Sequence, residues 1–132
     1  MIRSTCLCGK IAFEGQEIPN MVFNCHCSRC RKSHGAVYAT QVISNKRSLN
    51  FLRGNNFLSE YEVNGIVRAF CSQCGSRLMN YSKDDQEYLS ISLAVVDNCD
   101  DLKPVGECFV NDKLHFVQLD HRIAHFMELP EN

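Results

Sequence analysis

No apolar run in the sequence is long enough to cross a membrane: stretches such as Leu93-Ala94-Val95-Val96 fall far short of the roughly 18 residues a span requires. No excess of charge is present either. Fourteen Lys and Arg stand against fifteen Asp and Glu, for a formal net charge of -1. That balance leaves no broad basic stripe for phosphate binding, so no nucleic-acid partner is expected, although Arg29, Arg31 and Lys32 make a local basic spot. The first residues, MIRSTCLCGK, lack the apolar core of a secretory signal, and a cytoplasmic protein is expected. Low-complexity stretches, linker-like composition shifts, solenoid repeats and long amphipathic helices are all missing. A single domain spanning residues 1-132 is the simplest organisation.

What the chain has in quantity is cysteine: Cys6, Cys8, Cys25, Cys27, Cys30, Cys71, Cys74, Cys99 and Cys108, nine in all. An odd count would strand one thiol in an oxidising compartment, whereas a reducing one keeps every thiol available for metal. A chain of 132 residues can bury a hydrophobic core without disulfide staples.

Alternation of apolar and polar residues marks short strands at Lys10 to Glu14, Val37 to Ile43, Tyr61 to Val63 and Tyr88 to Leu93. In the last, Leu89, Ile91 and Leu93 share one face, and Ser90 and Ser92 are expected on a solvated one. Asn64-Gly65, alone between Tyr61-Glu62-Val63 and Ile66-Val67-Arg68, suits a two-residue hairpin turn needing positive φ at both positions. Gly15, Pro19, Asn20 and Gly54 read as turns. The stretch Ser28 to His34 predicts a short helix stopped by Gly35. Asp97 to Gly106, rich in Asp and Asn, reads as a long surface loop able to edge a pocket. The class expected is mainly β: a small zinc-stapled β-sheet domain with one short helix after the middle cysteine cluster.

Two chelating loops, Cys6-Leu7-Cys8-Gly9 and Cys71-Ser72-Gln73-Cys74-Gly75, supply four thiolates, the number that fills a tetrahedral structural zinc. Glycine after a ligand lets the backbone curl until its N–H groups reach the sulfurs. Buried free thiols, a redox Cys-x-x-Cys pair and four-thiolate iron are the alternatives, and the strand-like flanks of Cys71 and Cys74 disfavour the redox pair.

The middle cluster, Cys25-His26-Cys27-Ser28-Arg29-Cys30, offers three thiolates within six residues. Catalytic zinc sites hold the metal with three protein ligands and leave the fourth position for water or substrate. A second structural zinc completed by Cys99, Cys108 or a histidine is the competing arrangement. His26 would point away from its ligand neighbours, and His34 could reach only if the helix forms. His121 and His125 are four apart but lack the glutamate of zinc-protease helices. Three thiolates make a zinc a modest polariser of carbonyls and a good binder of thiols, which lose their proton on the metal. Arg29, Arg31, Lys32, Arg53, Arg68 and Arg77 are candidates for meeting the carboxylates of an acidic thiol such as glutathione.

The motifs CLCG, CHCSRCRK and RAFCSQCGSRL, in that order, resemble the glutathione-dependent formaldehyde-activating family, which includes centromere protein V. The resemblance runs from about Thr5 to about Phe126 and takes in the FLRG turn at Phe51 to Gly54 and Tyr61. It implies a mainly β fold, a structural zinc on Cys6, Cys8, Cys71 and Cys74, and a catalytic zinc on Cys25, Cys27 and Cys30, two zinc ions per chain. It further implies carbon–sulfur lyase chemistry joining formaldehyde, a small aldehyde, to glutathione as S-hydroxymethylglutathione. The family often has a glycine-leucine-aspartate stretch where this chain has Leu93 to Asp97, and a tryptophan near Phe116. The rival function is a non-enzymatic binding or chaperone-like module stapled by zinc, for which a fourth protein ligand on the second metal would speak.

Overall fold

A computed structural model describes residues 1–85 and 87–130. Among these described residues, nine strands join in one sheet: β1 (Ile2–Thr5), β2 (Ala12–Cys25), β3 (Ala39–Arg53), β4 (Leu58–Val63), β5 (Ile66–Cys71), β6 (Arg77–Ser82), β7 (Tyr88–Ser92), β8 (Gly106–Cys108) and β9 (Ala124–His125). Their order is β4-β5-β6-β7-β3-β2-β8-β9, with β1 paired to the start of β2. An α-helix, α1 (Ser28–His34), sits between β2 and β3. The architecture is mainly β, as the residue pattern predicts.

One long strand, β2, is continuous where the sequence suggests interruption. Gly15, Pro19 and Asn20 all lie inside β2, which keeps its pairing to β3 through irregularities between Glu14 and Gln16 and between Glu17 and Val22. Proline cannot donate to a ladder, so Pro19 falls in the second of these gaps. Such irregularities bend a strand, and Ile2 of β1, Phe13 of β2 and Ile11 just before β2 enter one apolar cluster with Val42, Met79, Leu89 and Ile91. Phe13, Ile11, Leu89 and Ile91 are wholly buried, each stabilising the fold by about 1.5–3 kcal/mol.

The Asn64-Gly65 turn forms as expected, with φ of 52° and 82° and Val63 paired to Ile66. Gly54 (φ 76°) does turn the chain, at a point where a Cβ would lie 1.9 Å from the Lys10 carbonyl oxygen. Only glycine fits there, and the close approach pins the end of β3 to the first cysteine loop.

One expectation is corrected. The Ser90 and Ser92 face of β7 is not solvated: both residues are buried. Register places Arg68 beside Asn80 and Asn80 beside Ser90, with Gln41 beside Ser92. This polar row lies under α1, since Cys30 and Ser33 of the helix receive hydrogen bonds from Gln41 and Arg68. Alternation reports which residues share a face; it does not report what covers that face. The loop after Asp97 ends as Gly106 opens β8, and Ser92 and Ala94, at the end of β7 and just beyond it, edge two clefts of the described residues.

Candidate metal and thiol site

The four-cysteine cluster is built from two loops of near-identical form. Cys6 and Cys8 follow β1, while Cys71 ends β5 and Cys74 lies in the turn before β6. Each loop closes through a glycine in the left-handed region, Gly9 at φ 78° and Gly75 at φ 79°. The Gly9 amide donates to the Cys6 carbonyl at 3.0 Å and the Gly75 amide to the Cys71 carbonyl at 2.8 Å. Backbone amides also reach the sulfurs: Ile11 N–H to Cys6 Sγ at 3.3 Å and Gln73 N–H to Cys71 Sγ at 3.4 Å. The loops hold each other through the Leu7 amide, which donates to Ser76 Oγ at 2.9 Å. All four sulfurs lie within 4.8 Å of one another, and no cysteine is in a disulfide.

The three-cysteine cluster comes from one turn of chain. Cys25 ends β2, Cys27 caps the N-terminus of α1 by accepting the Cys30 amide at 3.3 Å, and Cys30 is buried on the helix. Their sulfurs also fall within 4.8 Å of one another, with no fourth Cys, His, Asp or Glu donor in the group among the described residues. Cys99 and Cys108 stand apart as free thiols, and burial pushes the Cys108 thiol up to about 11. The helix forms and stops at Gly35 (φ 62°) as predicted, but His34 does not join the sulfurs.

His26 does point away from them. Fully buried, it donates from Nε2 to Glu107 Oε1 at 2.8 Å, and Glu107 Oε2 accepts the Asp120 amide at 2.8 Å. Burial works against the Glu107 carboxylate, but the Asp120 amide, His26 and Asn24 hold it below the usual range. The His26 amide itself donates to the Cys108 carbonyl at 3.0 Å. The backbone between two candidate ligands is thus anchored from β8 on the side away from the sulfurs. His121 and His125 are exposed.

Both clusters fit a cation. Without one, the three sulfurs share their protons unequally: hydrogen bonds from Cys25 and Cys30 bring Cys27 down to about 2, while hydrogen bonding with Cys27 and Cys30, together with burial, drives Cys25 far upward. Like charges this close cannot all ionise unless a cation neutralises them. In the four-cysteine cluster the Ser76 hydroxyl brings Cys74 down to about 5. Amides aimed at sulfurs and cysteines free of disulfides are what thiolate metal sites need.

A polar floor, missed by sequence reasoning, surrounds Cys30. Gln41 Nε2 donates to its sulfur at 3.5 Å, and Arg68 Nη1 lies 3.9 Å from the same atom and 3.2 Å from Ser33 Oγ. Asn80 Nδ2 donates to Gln41 Oε1 at 3.3 Å, and Arg77 Nη2 donates to Asn80 Oδ1. Of the other basic candidates, Arg31 donates to the His26 carbonyl at 3.1 Å and Arg53 to the Gly9 carbonyl at 2.9 Å, while Arg29 and Lys32 are exposed. The Arg77 end of this floor opens on a cleft of ≈ 640 Å³ that also meets Lys32, His34, Cys74 and Ser76. A second cleft of ≈ 350 Å³ lies beyond His34. Burial, Arg77 and Arg68 bring His34 down to about 4, and its buried Nε2 has no partner.

A mainly β protein with two cysteine clusters able to hold metal, one of three donors and one of four, is the class these features define. The family described as glutathione-dependent formaldehyde-activating enzyme matches residues 1–112, and the chain belongs to it. The fold is also similar to the crystal structure of a Rhodobacter sphaeroides protein, at 23% identity and a TM-score of 0.63, over 73% of this chain and 88% of that one. No curated protein matches significantly. Among the described residues no helix is long and apolar enough to cross a membrane.

Proposed function

We propose that the chain is one zinc-binding domain over residues 1–132 and a carbon–sulfur lyase of the S-(hydroxymethyl)glutathione synthase type, joining a glutathione-like thiol to a small aldehyde. Cys6, Cys8, Cys71 and Cys74 would hold a structural zinc, and Cys25, Cys27 and Cys30 a catalytic one. Held by those three sulfurs, a zinc ion would supply a Lewis acid able to keep an incoming thiol deprotonated at neutral pH. The observation that carries this reading is the donor count, three sulfurs with no fourth protein donor among the described residues. A binding module would gain nothing from an incomplete ligand set.

The reaction balances without an oxidant or reductant. The thiolate sulfur attacks the aldehyde carbon, a C–S bond forms as the C=O π pair moves to oxygen, and the oxygen takes up a proton equal to the one the thiol gave up. The chain's own residues shape the ground on which this happens. Cys27 caps α1 and thereby fixes Cys30, Gln41 orients the Cys30 sulfur, and the His26–Glu107 pair holds the ligand loop from behind. Small molecules, a thiol and an aldehyde, are the partners of this reading, in the cytoplasm, with no nucleic acid or membrane involved.

Exchange spectroscopy on formaldehyde and glutathione tests it. The uncatalysed addition proceeds unaided, so wild type, Cys27→Ser and a protein-free control are compared at equal concentrations. Faster exchange with wild type alone supports the lyase reading. Equal rates in all three, with no glutathione binding, would leave the zinc-stapled binding module as the better account.

A further inference from the structure

Four side chains under α1 are joined in one hydrogen-bond chain that ends on a sulfur. Arg77 Nη2 donates to Asn80 Oδ1, Asn80 Nδ2 donates to Gln41 Oε1 at 3.3 Å, and Gln41 Nε2 donates to Cys30 Sγ at 3.5 Å. Asn80, Gln41 and Cys30 are all buried. Arg77 is itself anchored to backbone, since its Nη1 donates to the Ala69 carbonyl at 2.6 Å. The chain of bonds crosses β7, which lies between β6 and β3 in the sheet.

Only one direction is open to it. A guanidinium has N–H donors and no acceptor, so Asn80 must turn its carbonyl oxygen to Arg77 and its NH2 to Gln41. Gln41 must meet that NH2 with its own carbonyl oxygen, which leaves its NH2 aimed at Cys30. Reversing either amide would set donor against donor in a buried place, where an unpaired polar group is most costly. The sulfur so reached is also the one that Arg68 Nη1 approaches at 3.9 Å, whereas Cys27 accepts a backbone amide, that of Cys30. The sulfurs of the cluster therefore differ in what engages them.

We propose that Arg77, Asn80 and Gln41 act together as positioning residues that engage the Cys30 sulfur from behind and so set how strongly it donates to a metal ion. The proposal rests on the reading of the three cysteines as a metal site and deepens it by assigning the residues that tune one ligand. A sulfur lone pair held by an N–H group gives less of its charge to the metal, and losing an outer hydrogen bond of this kind changes metal affinity by about 10–100-fold. Arg77, two side chains removed from the sulfur, is the fixed end. It decides which way two amides face and touches neither metal nor substrate.

Loading with cobalt(II) reads the sulfurs through their charge-transfer band to the metal, once the spectrum of Cys27→Ser is subtracted to remove the four-cysteine site. Gln41→Leu removes the donor to Cys30. Asn80→Asp keeps the side-chain shape but presents only acceptors, so Gln41 should turn its NH2 toward the new carboxylate and away from the sulfur. Each variant should move the band to longer wavelength and weaken cobalt binding at this site by about tenfold or more. The double variant tells a hydrogen-bond chain from a charge acting through space: with Gln41→Leu already present, Asn80→Asp should add no further shift, whereas a through-space field would add the same shift in both backgrounds. Additive shifts, or an unmoved band in either single variant, overturn the proposal and leave the metal site standing. A wild-type spectrum identical to that of Cys27→Ser defeats the metal reading and this proposal with it. Gln41→Leu also strips Asn80 of its acceptor, so a second measurement uses wild type alone. Loaded with an NMR-active cadmium isotope, it should show a coupling between the metal and one Gln41 side-chain amide proton across the Cys30 sulfur, and absence of that coupling overturns the chain.

Discussion

The two cysteine clusters are made of the same side chain and differ in what they join. Cys6 and Cys8 come from one end of the chain and Cys71 and Cys74 from its middle, and both Cys6 and Cys71 belong to the apolar core cluster. The other three cysteines span six residues, from Cys25 to Cys30, at the mouth of one short helix. A crosslink between distant segments removes much chain entropy from the unfolded state, whereas one within a single turn removes little. Surroundings differ in the same sense. The first cluster is clasped by backbone amides, and the second faces side chains that carry charge or hydrogen-bonding groups, Arg68 and Gln41. Metal at the first would act on the fold; metal at the second would act on a ligand.

The largest expected effect comes from breaking the first cluster. Structural zinc supplies about 10–16 kcal/mol of apparent binding energy in small peptides, comparable to the whole stability of a domain. Cys71→Ser should aggregate or lose its cooperative melt, and a variant with wild-type melting and zinc content would show that the cluster is no staple.

A smaller effect probes the support behind the second cluster. Glu107→Ala leaves the buried His26 and the Asp120 amide without their acceptor, which should cost about 3 kcal/mol in denaturant titration. The loss should appear with four-cysteine zinc still bound. An unchanged midpoint would mean that the dyad does not anchor the ligand loop.

The sequence announces the two clusters and hides their setting. Cysteine spacing with a following glycine is a local signal, as are Asn64-Gly65 and the Gly35 stop, and each corresponds to a left-handed backbone angle in the structure. The polar floor depends on pairing between strands far apart in the chain, Gln41 of β3 with Ser92 of β7, and on a helix that covers it. No local pattern tells a serine facing solvent from one facing a helix. The His26–Glu107 bond spans 81 residues, and β8, which delivers Glu107, is three residues long, too short for periodicity to mark. Arg68 and Arg77 look like four other basic residues until the fold buries them.

A finer test concerns acid. His34, brought down to about 4 in the folded protein from an ordinary 6.5, binds a proton between those values only when the chain unfolds. Its contribution to stability is therefore complete above pH 6.5 and falls away as pH drops toward 4. His34→Asn should flatten the pH dependence of the melt in that window by about 2 kcal/mol relative to wild type, at matched zinc content. A parallel decline in both proteins would show that His34 takes its proton in the folded state as well.

The division of labour between the clusters is tested most directly by zinc per chain and thermal melting of Cys27→Ser, measured beside wild type purified without chelator. The account predicts two zinc ions in wild type and one in the variant, with both melting cooperatively at closely similar temperatures. An unchanged zinc count in Cys27→Ser, or loss of the fold together with that zinc, would contradict it.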